Sequence, residues 1–190
     1  AVADTTTPTN ENVEITVDVT NEGVLGIASI TVNGIELNNN SYMANENGKY
    51  NTTVTLNNGI SSTETIVISN IDKESPVIKS VSTGAPVTTI NDVNIYGTEP
   101  ELVISAIDMG TAGIDRIEYQ LNDSEWMKYD AENKVLIPDD FNGNISVRAI
   151  DGAGNVSEVI VSDDILVDAT LRIGSRDMDE LAVFLAKVNA

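Results

Sequence analysis

The sequence predicts an all-β chain of two tandem antiparallel β-sandwiches with a short C-terminal helical tail. Three observations carry that prediction. Apolar residues recur at every second position over short stretches, as they do where one face of a strand is buried. Clusters of Asn, Asp and Gly separate those stretches. The chain is also internally duplicated: Glu14-Ile15 through Ile27 and Ile30 lines up without gaps on Glu101-Leu102 through Ile114 and Ile117, 87 residues on, while Ser61 and Asp72 match Ser157 and Asp168, 96 residues on. The second copy is therefore the longer, with its extra residues around 122–139, where the one Trp lies.

Taken in order, residues 1–10 are rich in Thr, Asp and Pro without periodicity and read as a linker or the frayed start of a strand. Val13, Ile15, Val17 and Val19 alternate with polar residues as a half-buried strand, and Asn21-Glu22-Gly23 turns the chain. Residues 27–32 form the next strand, Asn33-Gly34 signals a type I′ hairpin, and residues 35–37 return. The run 38–41 reads as loop. Residues 50–56 enter the turn Asn57-Asn58-Gly59, and 60–71 leave it.

Lys73-Glu74-Ser75-Pro76 reads as a linker, since Pro76 cannot donate to a ladder and biases Ser75 to extended geometry. Residues 77–81 then begin a second module, and 85–96 mix strand and loop. Ile117, Tyr119 and Leu121 form a strand that Asn122-Asp123-Ser124 turns, so that 126–129 pairs back. Asn142-Gly143 is expected to turn the chain again. Ile145, Val147 and Ala149 run into a tight turn over 151–155, and 156–161 resumes as a strand. Near the end, Asp177-Met178-Asp179-Glu180 resembles a capping box opening an amphipathic helix, with Leu181, Phe184, Leu185 and Val188 on one face and Lys187 near its C-terminus. The expected domains are 1–73, 74–169 and a tail, 170–190.

Composition narrows the function classes. Ten basic against thirty acidic residues give a net charge of −20, which opposes nucleic acid and anionic lipid as partners and makes cations the natural counter-partners. With no Cys and no His, thiolate metal sites, disulfides and the commonest general base are excluded. The apolar runs fall far short of the roughly 20 residues that span a bilayer, so no membrane insertion is expected. The chain starts at Ala1 and reads as a fragment of a longer protein, so its lack of a targeting signal says little about compartment.

The run Gly113-Ile-Asp-Arg-Ile-Glu-Tyr-Gln-Leu, with Trp126, Tyr129, Gly143, Arg148-Ala-Ile-Asp-Gly-Ala-Gly-Asn155 and Ile165-Leu-Val-Asp168, resembles the bacterial Ig-like repeats of large Gram-positive surface and secreted proteins. The first module is similar through Gly48-Lys-Tyr50, Asn58-Gly59, Asn70-Ile-Asp72 and Pro76, although Leu56 stands where the family often has an Asp before the turn. The resemblance covers about residues 10–170. It implies Ig-like sandwiches strung as beads in an extracellular protein, with a structural, spacing or adhesive role and no reaction of their own. The implied partners are adjacent domains of the same parent protein and host or cell-wall ligands, glycan or protein. The same bead also serves as an accessory module of surface carbohydrate-active enzymes, so fold alone does not choose between spacer and ligand binder.

In a sandwich of this topology the turn after the second strand and the turn before the last strand share the end that receives the incoming linker. In the second module these turns carry Asp108 and Asp151, and the linker brings Asp72 and Glu74, so four carboxylates are expected to converge. Calcium, which takes six to eight oxygen ligands, suits such a set. A second reading stands beside it: an Asp in a turn accepts the N–H two residues on and needs no ion. Trp126 and Tyr129, with Tyr119, are candidates for a sugar-stacking platform or for cross-strand packing. A Lys-to-Asn crosslink would need a lysine such as Lys79 buried beside Asn and an acid. Paired-carboxylate catalysis would need a desolvated acid in a cleft, which loops on a small sandwich rarely supply.

Overall fold

The computed structural model describes residues 1–20, 25–170 and Ala186. The turn expected at Asn21-Glu22-Gly23 and the helix expected over 177–190 lie outside the described residues, apart from Ala186, which has helical geometry. The chain divides into two compact units. The first is Ala1–Glu74 with the short segments Gly110–Ala112 and Gly152–Asn155, and the second holds the remainder.

In the first unit, β1 (Val2–Ala3), β2 (Val13–Thr16) and β5 (Ser41–Ala44) form one sheet in the order β1-β2-β5. The facing sheet runs β4-β3-β6-β7, from β3 (Ile27–Val32), β4 (Ile35–Glu36), β6 (Gly48–Leu56) and β7 (Ser61–Ile68). Every ladder in both sheets is antiparallel. Alternation decides the layers: Val13, Ile15 and Ala44 from one sheet meet Ile30, Val32, Tyr50 and Ile68 from the other in a single buried core. At the β3–β4 hairpin, Asn33 and Gly34 have φ of 48° and 81°, as a type I′ turn requires. The expected turn after β6 is also present, with the Gly59 N–H donating to Leu56 C=O at 2.9 Å. The expected strand at 13–19 stops at Thr16, and Ser41 belongs to β5 rather than to the expected loop, paired with Thr16.

The second unit contains β8 (Val77–Ser82), β9 (Thr88–Ile90), β10 (Val93–Tyr96), β11 (Glu101–Ile107), β12 (Ile114–Leu121), β13 (Met127–Lys128), β14 (Val135–Leu136), β15 (Asn142–Gly143), β16 (Ile145–Asp151), β17 (Ile160–Val161) and β18 (Ile165–Val167). They order as β14-β11-β8, β13-β12-β16-β17 and β15-β18-β10-β9. Leu102, Ile104, Ile145, Val147, Ile165 and Val167 close its core. All ladders are antiparallel except β10–β18, which is parallel.

Two expectations need correction here. Asn142-Gly143 is a short strand on β18 rather than a turn. Asn122 explains why: its amide donates to Asn142 C=O and accepts the Asn144 N–H, and a Cβ at Gly143 would overlap that amide. The stretch 156–161 is a strand only at Ile160–Val161, with Val156 making an isolated bridge to Ile150.

The duplication is written into the backbone. Gly26 and Gly113, 87 residues apart, both have φ of 69°, and each precedes the same irregularity, between Ile27 and Ser29 in one unit and between Ile114 and Arg116 in the other. A glycine at positive φ followed by an extra strand residue is a bulge that re-aims the strand.

Candidate functional site

Several backbone groups gather around Asp72, in the first unit. Its position follows from strand pairing: Thr9 and Ile71 bridge in parallel, and the Asp72 N–H donates to Thr9 C=O at 2.8 Å. The side chain is then turned inward, with 3 % of the residue exposed. One carboxylate oxygen accepts the Glu74 N–H at 3.1 Å, which is the turn geometry the sequence suggests for a linker Asp. The other accepts the N–H groups of Thr111 at 2.5 Å and Ala112 at 2.6 Å. The backbone C=O of Asp72 accepts from the Asn155 side chain at 3.0 Å.

Three N–H donors satisfy much of the lone-pair capacity of one carboxylate. Burial pushes this carboxyl up, but the N–H groups of Ala112, Glu74 and Thr111 outweigh burial and hold it below the usual Asp value. Two glycines make the approach possible: a Cβ at Gly110 would overlap the Asp72 carboxylate, and one at Gly152 would stand 2.9 Å from Ala112 C=O. Asn155 is a site residue that reading the turn as a turn did not single out. The signal was available, since an Asn ending an Asp-Gly-Ala-Gly run is placed to spend its amide on backbone.

Glu74, from the expected metal set, is exposed and contributes its N–H to Asp72. The other two members lie in the second unit, at the ends of β11 and β16. Asp108 and Asp151 bring carboxylate oxygens within 4.8 Å of each other. Asp151 is 2 % exposed, and Asp108 accepts the Gly113 N–H at 2.8 Å.

Trp126 and Tyr129 do different work. Tyr129 packs on the second core, its hydroxyl accepts the Ile104 N–H at 3.3 Å, and its N–H donates to Ile117 C=O at 2.8 Å. Trp126, half-buried, carries the Arg148 guanidinium 4.2 Å from its ring centroid. Arg148 is held by Glu118 at 2.7 and 2.8 Å, and Glu118 takes Arg116 as well, at 2.8 Å. Burial pushes the Glu118 carboxyl up, but the two guanidinium groups outweigh it and hold the group below its usual value. Lys79 is exposed, so the buried lysine that a crosslink requires is not supplied at this position.

No protein-family model matches the sequence, and no curated protein matches it. Among solved structures, the chain is similar to the fibronectin(III)-like modules of CbhA from Clostridium thermocellum, at 15 % identity and a TM-score of 0.43, over 93 % of this chain and 98 % of that one. The likeness is distant, and the functional reading rests on the residues themselves.

Proposed function

We propose that this chain is a pair of non-catalytic structural modules from an extracellular bacterial protein, acting as a spacer or adhesive segment. The observation that carries the reading is repetition at the level of single hydrogen bonds. Each unit carries a buried Asp, Asp72 or Asp168, whose backbone N–H donates to the segment bridged in parallel beside it, at Thr9 or Tyr96, and whose carboxylate accepts the N–H two residues on. Groups committed in this way hold geometry. Stretching single molecules from the two ends tests the proposal: two discrete unfolding steps are expected, and gradual, featureless extension would overturn it.

Calcium belongs to the same proposal, bound through Asp108 and Asp151. Two oxygens each about 2.4 Å from one ion lie up to about 4.8 Å apart, and these carboxylates meet that separation. Two carboxylates so close also repel one another unless a proton, an N–H donor or a cation offsets the charge. Water and backbone carbonyls would complete the shell.

A further inference from the structure

The duplication also brings out a difference between the units. Counting 96 residues on, Thr63-Glu64-Thr65 of β7 corresponds to Val159-Ile160-Val161 around β17, and β7 and β17 are each the last strand of their sheet. In the first unit that edge is polar and tied down. There β7 pairs with β6 over eight positions, Thr63 shares a hydroxyl bond with Thr53 at 2.8 Å, and the Thr65 hydroxyl donates to Asn51 Oδ1 at 2.7 Å. In the second unit the edge is apolar: β17 pairs with β16 at two positions, and Val159, Ile160 and Val161 are 48 %, 42 % and 56 % exposed. The Ser162 N–H donates to Ile145 C=O, so by antiparallel alternation the N–H and C=O of Val161, one residue back, face away from β16. Open edges are ordinarily protected by a charge, a proline or a bulge. Lys79 does this for β8 across the groove, but no charge or proline stands between Val159 and Val161.

We infer that the β17 edge is a docking site for an extended segment of a partner protein, with apolar side chains at alternate positions and a basic residue at each end. The backbone of Val161 offers a donor and an acceptor together, which a chain in strand geometry satisfies by extending the sheet β13-β12-β16-β17. The groove between β17 and β8, about 520 Å³, provides the seat. Ile78, Val81 and Ile165 line it and suit the apolar side chains that such a strand presents on one face. Charge selects the ends of the partner. Glu158 precedes β17 while Asp163 and Asp164 follow it; all three are exposed, and no ion pair among the described residues engages them. A second copy of this chain is opposed as the occupant, because each copy carries −20 and brings the same three acids to the edge. The inference stands on the edge itself and does not depend on the spacer reading, whose test is mechanical.

The test titrates the whole isotope-labelled chain, at constant ionic strength, with the end-blocked peptide Lys-Val-Thr-Val-Thr-Val-Lys. This probe matches the span from Glu158 to Asp164 and sets its valines on one face. Saturable NMR shifts at Val159, Ile160 and Val161 and at Ile78 and Val81 are expected, with exchange of the Val161 amide slowed by 10-fold or more. Two further peptides, N-methylated at the valines or at the threonines, separate the two hydrogen-bonding edges of the probe, because successive N–H groups of a strand point to opposite sides. One of them is expected to bind 10-fold or more weakly than the other, and a peptide with Glu in place of both Lys should not bind. Absence of a saturable shift, shifts centred away from the groove, equal affinity of the two methylated peptides, or binding that survives the change to Glu would each overturn the inference. So would a Val161 amide already slow to exchange in the free chain, since the edge would then be covered by a second copy or by residues 171–190 of the same chain.

Discussion

At the scale of the residue, Asp72 shows how much structure one carboxylate can hold. Truncating it to Ala removes the acceptor from three N–H groups in part-buried hydrogen bonds, where a fully buried orphaned donor would cost about 1–3 kcal/mol. Solvent will reach some of them, so D72A is expected to lose about 2–4 kcal/mol in urea unfolding of the first unit. The effect is linked to pH with a definite sign. A carboxyl whose folded pKa lies below its unfolded one contributes stability above the unfolded value, and loses it as pH falls through the folded value. Stability of the wild type should therefore fall below the usual Asp range as Asp72 protonates, and D72N should flatten that part of the curve. Asp72's bond to Glu74 was legible in the sequence, because it follows from local turn geometry. Its bonds to Thr111 and Ala112, about 40 residues away, were not, because nothing local encodes which amides a buried acid will meet.

Among the elements, duplication made the strands readable and their irregularities more so. The paired bulges give a differential prediction. Gly113 has open space where a Cβ would go, so G113A is charged only for putting Ala at positive φ, about 1 kcal/mol or more. At Gly26 the Cβ would also stand 3.0 Å from Asn57 Nδ2, which donates to Leu25 C=O at 2.8 Å. G26A should therefore cost more than G113A in matched chemical denaturation, and equal losses would sink the argument. What the sequence concealed were short strands such as β5 and β15, whose two to four residues carry no clear period and are specified by their partners. Lys79 is likewise visible only in the fold. It is the unpaired residue where β8 shifts register against β11, on an edge strand beside a groove of about 520 Å³ that Val81, Ile160 and Val161 help line. A lysine at a bulge blunts an edge against further pairing. K79V should leave the melting temperature within a few degrees of wild type while light scattering of concentrated samples rises.

For the whole molecule, the decisive quantity is the charge of −20, because self-repulsion and ion binding both act through it. Any added salt screens repulsion, so sodium chloride alone should raise the melting temperature smoothly, without saturating at low millimolar concentration. Calcium bound through Asp108 and Asp151 should behave differently. Extracellular calcium modules have dissociation constants of about 0.1–1 mM, and an ion at ten times that value adds about 1.4 kcal/mol, enough to shift the melting of a domain this size by several degrees. The comparison is therefore made at constant ionic strength, with calcium replacing sodium and chelator as the control. A saturable rise of several degrees, abolished in D151N while the sodium response survives, is the outcome expected of a specific site. Identical curves for calcium and sodium at equal ionic strength would mean that the acidic surface attracts cations only as a diffuse cloud.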